Sequence, residues 1–317
     1  MKKSLIALAV LGLSSAAMAQ SSVTLYGVAD AGVGKVKSAT NDGSNKTEFL
    51  SGSLMNNGNS RIGVRGIEDL GSGLKVGFNF ESGLDLDDGG IVNGTMWGRQ
   101  ANMWLGGNWG TFKLGRQFTV SYLVENTFDL TGAANYSALA NTYNYGTHLG
   151  IGARAPSAFS YVTPTFGGLT AGVAYVTKKD VLAYAGADSY VWDAGLMYNN
   201  GPIAAGVSAN KLQGSKTAYQ AGGSFKFGSF AVAGSYSQMT SGDAYRRGFG
   251  LGASANFGAF TLTGDITRDT KNEITGKKRT NGDVELKYAL SKRTFVYGSY
   301  LRYDGDNNYG LGIRHNF

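Results

Sequence analysis

The chain has 317 residues, no cysteine, 3 prolines, 49 glycines and a formal charge of +7. Without cysteine, no disulfide holds the fold. The basic residues are scattered at strand spacing and form no single patch, which argues against nucleic acid as a partner.

The first segment is read as a leader. Lys2 and Lys3, the apolar run Leu5 to Leu13 and the small-x-small site Ala17-Met18-Ala19 before Gln20 spell a cleaved signal peptide over residues 1–19. The run is too short for a membrane-spanning helix, which needs about 20 residues. No later segment approaches a continuous apolar span, so residues 20–317 are read as one domain without transmembrane helices.

From Val23 onward, period-two alternation dominates. Val23, Leu25, Gly27 and Ala29 share one face, and Thr24, Tyr26 and Asp30 the other. After a polar connection from Gly34 to about Asn59, Arg61 and Arg65 oppose Ile62, Val64 and Gly66. Next, Lys75, Asn79 and Glu81 oppose Leu74, Val76, Phe78 and Phe80. A fourth strand, Trp97 to Leu105, is mixed on both faces and its parity stays open. The stretch of about 125–157 is polar and lacks alternation, so it is read as a long connection. A loop of that length with no structure of its own is usually functional. It either folds into a lumen or lies solvated on the surface.

Later strands are cleaner. Val284, Leu286, Tyr288 and Leu290 oppose Asp283, Glu285 and Lys287. Phe295, Tyr297, Leu301 and Tyr303 are read as the apolar face of the next strand, opposite Val296, Gly298, Tyr300 and Arg302. In the last strand Tyr309, Leu311, Ile313, His315 and Phe317 share a face. Short glycine turns between aromatics, such as Phe227-Gly228-Ser229-Phe230 and Phe257-Gly258-Ala259-Phe260, alternate with longer polar connections. Seven short turns and eight longer connections give sixteen strands.

A soluble sandwich also alternates, with its apolar face turned inward. Sixteen strands of about ten residues fit a bilayer better, and aromatic turns suit a membrane-interface girdle. Only a closed sheet satisfies its backbone in lipid. The expected fold is therefore all-β: a transmembrane 16-stranded antiparallel barrel, the long connection folded inward, with a water-filled lumen.

At this point the chain resembles a Gram-negative general porin, the trimeric 16-stranded type, in the branch common in betaproteobacteria and neisseriae. The resemblance rests on Ser22-Val23-Thr24-Leu25-Tyr26-Gly27, Ser60-Arg61-Ile62-Gly63-Val64-Arg65-Gly66, Glu68-Asp69-Leu70-Gly71 and Glu81-Ser82-Gly83. Gly98-Arg99-Gln100-Ala101, Leu114-Gly115-Arg116-Gln117 and the ending Leu311-Gly312-Ile313-Arg314-His315-Asn316-Phe317 complete it. It implies an outer-membrane homotrimer, a constricting third loop, a second loop latched onto the neighbour, and passive diffusion of ions and small solutes. It further implies outer-membrane lipid and lipopolysaccharide as surroundings, and Phe317 as the signal read by the barrel-assembly machinery. The family's Pro-Glu-Phe-Gly loop tip is missing, which leaves the acidic side of the constriction open.

Arg61, Arg65, Lys75, Arg99 and Arg154 are the candidate basic residues of the lumen wall. Parity supports Arg61, Arg65 and Arg154; the resemblance assigns Arg61, Arg99 and Arg154 to a cluster facing the third loop. Arginine pointed at lipid costs roughly 2–4 kcal/mol near the midplane, which favours the lumen. Arg116 shares parity with Phe112 and Leu114 and is read as a second-loop or interface contact. Glu125 and Asp129 either face the arginines across the pore or pin the loop from within. Asp30, Glu81 and Asp265 are lumen acids that oppose an anion preference. The two histidines, His148 and His315, have no evident catalytic partners, and no metal-ligand spacing or cofactor motif is found. The function read from all this is a diffusion channel with weak anion preference, not an enzyme. A surface adhesin or receptor barrel is the alternative, and a rim-site enzyme a third reading.

Overall fold

Residue alternation sets the strands and glycine-bearing turns end them. The computed structural model describes residues 21–37, 46–177 and 189–317. The expected signal peptide at 1–19 and most of the connection between Thr177 and Ser189 lie outside the described residues. In chain order the strands are β1 (Ser22–Lys35), β2 (Glu48–Ser51), β3 (Arg61–Gly71), β4 (Leu74–Gly83), β5 (Gln100–Gly107), β6 (Gly110–Phe118), β7 (Arg154–Val162), β8 (Leu169–Val176) and β9 (Val191–Asn200). They continue as β10 (Ile203–Leu212), β11 (Ala218–Phe227), β12 (Phe230–Ser241), β13 (Ala244–Phe257), β14 (Phe260–Asn272), β15 (Thr280–Ala289), β16 (Thr294–Tyr303) and β17 (Asp306–Asn316). β2 is a four-residue fragment, and the other sixteen strands make the wall. Neighbours run antiparallel and β17 returns to β1, so the sheet closes as expected.

The first strand is shared along its length. Ser22–Val28 pairs with β3, Val28–Lys35 pairs with β17, and β2 takes Ala31–Gly34 beyond the end of β3. The polar connection expected from Gly34 to about Asn59 therefore supplies a piece of sheet.

The burial pattern is that of a lipid-facing barrel. Glu285 is 0% exposed, whereas the adjacent Leu286 is 47% exposed. Along the wall, Leu251, Leu262, Leu286 and Leu311 face out while Asn281, Asp283, Gln220 and Asp193 are buried inside. A soluble sandwich has the reverse arrangement. Short glycine turns collect at one end of the barrel; the other end carries the longer connections together with two tight links, Gly242-Asp243 and Asp304-Gly305, where longer connections were expected.

Two expectations change. The strand expected over Trp97 to Leu105 is Gln100–Gly107, and Trp104 points into the lumen. Gly77 stands opposite Trp104 in register, and a Cβ there would meet the indole at 2.5 Å. The missing side chain makes room for the ring, which is why both faces of β5 carry large residues. In β16 the apolar set is on the lumen side, not the lipid side. Tyr297 and Leu301 are buried with Leu50, Met55, Tyr136 and Ala138, while Val296 and Tyr300 face out. Apolar residues are favoured inside at this place because the long connection docks on them.

That connection runs between Phe118 and Arg154, so it begins before residue 125 and gives way to β7 before 157. It holds two helices of six residues each, α1 (Val120–Glu125) and α2 (Ala138–Tyr143). Thr119 Oγ1 accepts from the Tyr122 N–H at 3.2 Å, and Ser137 Oγ from the Ala140 N–H at 3.2 Å. These are N-caps, each worth about 1 kcal/mol. α1 lies against β8 to β11 and α2 against β12 to β16, so the chain folds inward and crosses the lumen. Val124, Phe128, Leu139 and Tyr143 form its apolar underside. Phe128 sits on Gly222, and Val124 on Gly195.

Candidate functional site

Polar anchors complete the docking of this third loop. Ser121 donates to Asp193 through Oγ at 2.6 Å and through its N–H at 3.2 Å. The Gln220 amide donates to the Ser121 carbonyl at 2.6 Å. Further along, Asp283 Oδ1 accepts from the Ala138 N–H at 2.6 Å, and Asn281 donates to Thr142 Oγ1 at 2.8 Å. The Tyr136 hydroxyl donates to Glu285 and accepts from Asn57 Nδ2. Burial, then the Glu285 charge, pushes that phenol far above its usual range. Wall carboxylates are thus occupied in holding the loop.

The residues from 48 to 59 are held in the same way. Asp30 accepts from the Tyr297 hydroxyl at 2.6 Å, the Gly58 N–H at 2.8 Å and Asn56 Nδ2 at 3.1 Å. Asn135 of the third loop donates to Asn59 Oδ1 at 2.7 Å. The third loop therefore meets the first connection on the far side of the lumen.

Beside this contact lies an open space bounded by Arg61, Glu81, Arg99, Arg154 and Arg314 on the wall, with Tyr122, Gly132, Ala133 and Tyr145 from the loop. Arg99 Nε donates to Glu81 Oε1 at 2.7 Å, and Arg61 Nε lies 3.6 Å from Glu81 Oε2. The Tyr26 hydroxyl donates toward both Glu81 Oε2 at 3.0 Å and Asn79 Oδ1 at 2.8 Å. The Arg154 guanidinium lies 4.4 Å above the Phe118 ring, and its buried Nε has no hydrogen-bond partner. Arg314 donates to Asn57 Oδ1 at 2.8 Å. Four guanidiniums and one carboxylate line this space, with Arg61 and Arg99 paired to the carboxylate.

Of the sequence candidates, the structure brings Arg61, Arg99 and Arg154 together. Arg65 stands two inward positions from Arg61 toward the turn end, past Gly63, and 5.3 Å over the Tyr26 ring. Lys75 is opposite Asp69 and Gly106 near the short turns, away from the cluster. Arg116 donates from Nε to the Gly98 carbonyl at 2.5 Å, at the end of the second long connection. Glu125 is 1% exposed and neither carboxylate oxygen has a hydrogen-bond partner. Burial, then the nearby Asp129, raises its pKa well above the usual carboxylate range. Asp129 Oδ1 accepts from the Thr131 N–H at 2.9 Å and hydroxyl at 2.7 Å within the loop.

Sequence reasoning missed Arg314, Tyr122 and the part played by Tyr26. The signal for Arg314 was present: Asn308, Gly310, Gly312, Arg314 and Asn316 form the polar or small face opposite the apolar set of β17.

Comparison with known proteins settles the family. A family model described as Gram-negative porin matches residues 4–308. The chain belongs to the Gram-negative porin family. Outer membrane porin protein 32 of Delftia acidovorans is 34% identical over 338 residues, covering 94% of this chain and 88% of its own. An outer membrane porin protein of Bordetella pertussis is 32% identical over 394 residues, covering 100% of both chains. Among solved structures, the anion-selective porin from Comamonas acidovorans superposes with a TM-score of 0.77 at 28% identity, over 94% of this chain and 100% of that one. The porin is located in the Gram-negative outer membrane and acts as a diffusion channel. Its relatives are porins, which are channels and not enzymes, and they give the adhesin reading no support.

Proposed function

We propose that the porin favours anions, with Arg61, Arg99, Arg154 and Arg314 as the charged wall of its narrowing. The observation that carries this reading is the imbalance at the narrowing: four guanidiniums, one carboxylate, and a loop side made of tyrosines and backbone. Arg65 and Lys75 extend the basic track toward the turn end. Glu125, whose pKa burial raises well above the usual carboxylate range, and Asp129, bonded to Thr131, offset little of it. Two unit charges about 4 Å apart interact by roughly 1 kcal/mol in bulk water and ~4 at an intermediate dielectric. The screening length at physiological salt is about 8 Å, so wall charges reach ions in a narrow passage. Rings of Arg and Lys are a usual device of anion pores. The likeness to the anion-selective porin from Comamonas acidovorans supports the same sign. Transport is passive, with no catalytic step and no cofactor.

The assembly reading is a homotrimer. It is supported by the family and by the second long connection, where Leu86, Ile91, Val92 and Met96 are exposed and fit a latch onto a neighbour. Phe317, whose backbone exchanges two 3.0 Å hydrogen bonds with Gly27, is read as the assembly signal at the seam. Reversal potential across a salt gradient tests the selectivity. An Arg61→Ser, Arg154→Ser double variant moves toward cations; cation selectivity of the unaltered protein, or no movement in the variant, refutes the reading.

A further inference from the structure

The lumen wall below the narrowing carries an indole that neither the third loop nor the arginine cluster uses. Trp104 of β5 points inward between Met103 and Leu105, which are exposed on the outer face. It lies over the backbone of β4, where a Cβ at Gly77 would meet both Cε2 and Cζ2 of the ring at 2.5 Å. One side of the indole is therefore covered by the sheet. The other is turned to the channel, and the residue as a whole is only half-buried. On β4, Gly77 lies three inward positions from Gly83, the register partner of Arg61, toward the turn end. A solute that has passed the guanidiniums meets the indole next.

Cations stand around that ring. Lys113 of β6 is the register partner of Trp104. Its neighbours Phe112 and Leu114 are exposed on the outer face, so Lys113 points inward. Lys75 pairs with Gly106, one inward position from Trp104 toward the turn end, and Arg65 pairs with Asn79, one inward position from Gly77 toward the loop end. Side chains directly opposite in an antiparallel pair stand about 4.5–5.5 Å apart at Cβ, and diagonal neighbours about 7–8 Å. Lys113 therefore reaches whatever stacks on the indole, with Lys75 diagonal to it. Among the described residues, no carboxylate forms a salt bridge with Lys113 or Arg65. Glu81, two inward positions from Gly77, is paired with Arg99 and Arg61.

An indole facing channel water leaves apolar surface hydrated, and a planar ring laid on it removes that surface from water. Aromatic rings also gain from offset stacking beyond the area they bury. The ammonium beside the ring adds a place for negative charge. We propose that Trp104 and Lys113 form a subsite for aromatic carboxylates, with the solute ring on the free face of the indole and its carboxylate at the Lys113 ammonium. The subsite rests on the anion-favouring reading of the narrowing and adds to it which anions are retained after passing.

The test compares benzoate with cyclohexanecarboxylate as blockers of the chloride current through single porin channels in planar bilayers. Both are ionised at neutral pH and carry the same charge on a six-carbon ring. Stacking adds a factor of about two to ten to binding, so benzoate blocks at a concentration lower by about that factor. Trp104→Phe keeps part of the preference. Trp104→Leu, which leaves a bore close to that of the phenylalanine variant, removes it. Lys113→Gln weakens both blockers alike, by up to about fivefold, the loss of one solvent-exposed ion pair. Gel mobility before and after boiling checks that each variant is folded. Reversal potential in potassium chloride, read on the same channels, reports the narrowing separately: a cation preference there refutes the anion reading and the subsite with it. Equal block by the two carboxylates in the unaltered porin, with chloride still favoured, overturns the subsite alone. So does a benzoate preference that survives in Trp104→Leu, or block by both carboxylates unchanged in Lys113→Gln.

Discussion

The docking of the third loop on Gly222 gives a prediction in which a substitution changes sign with its background. A Cβ at Gly222 would lie 2.8 Å from Cγ, Cδ1 and Cδ2 of Phe128. Carbon atoms pack at about 3.5–4.0 Å, so the ring must retreat by roughly 1 Å. It has little room, because Phe128 is enclosed by Val124, Leu139 and Tyr143. Overpacking of this kind costs about 1–3 kcal/mol. Alanine also removes the flexibility penalty of glycine in a strand, which returns ~0.5–1 kcal/mol. Gly222→Ala is therefore destabilising by up to about 2 kcal/mol in the unaltered porin. Phe128→Ala alone costs about 3–5 kcal/mol. With the ring gone the three nearest contacts of the added methyl are removed, and Gly222→Ala becomes neutral or stabilising by up to ~1 kcal/mol. Urea unfolding in detergent, followed by tryptophan fluorescence and extrapolated linearly, measures all four corners of the cycle. Additive effects, with Gly222→Ala equally costly in both backgrounds, refute the packing argument.

Two further outcomes follow from the loop's attachments. His148 has Nδ1 3.2 Å from the Gly150 N–H and Nε2 3.1 Å from the Gly242 N–H. A neutral imidazole accepts at one of these nitrogens and an imidazolium at neither. Burial lowers the His148 pKa, so its contribution to docking is complete above about pH 6.5, the ordinary histidine value, and fades as pH falls through the lowered one. Open-channel noise rises on acidification in the unaltered porin and stays flat in His148→Gln; equal pH responses in the two sink the assignment. Removing residues 135–145 widens the solute cut-off while the barrel stays folded, because the wall's hydrogen bonds run between strands. The acids uncovered, Asp283 and Glu285, then face lumen water and are not stranded in protein; an unchanged cut-off in liposome swelling would place the loop outside the passage.

Strand parity is a local property, and that is why so much of the barrel was legible. Val284 to Leu290 and Ile203 to Ala209 declare their faces within a single strand. The closed sixteen-strand wall follows from counting such segments, and the family resemblance assigned Arg61, Arg99 and Arg154 to one place. What escaped was non-local or short. Leu301 and Tyr297 look like lipid contacts until the loop that covers them is known, because an apolar residue does not state which apolar partner it meets. α1 and α2 have six residues each, too few for helical periodicity to emerge. Arg314 reaches the cluster only because β17 closes on β1, a pairing across nearly the whole chain. Trp104 was ambiguous because the explanation, Gly77, is on another strand.

The attachment of the loop to a glycine-lined wall has a thermal consequence. Hydrogen bonds between strands define a rigid cylinder, but the width of the passage depends on Val124, Phe128, Leu139 and Tyr143 staying seated. Their seating is a small folding equilibrium inside a much larger one, and apolar association weakens on cooling. Ion mobility in a drilled hole simply slows as water thickens. In this porin the hole itself is set by a folded part, so its effective bore carries a heat-capacity signature of its own.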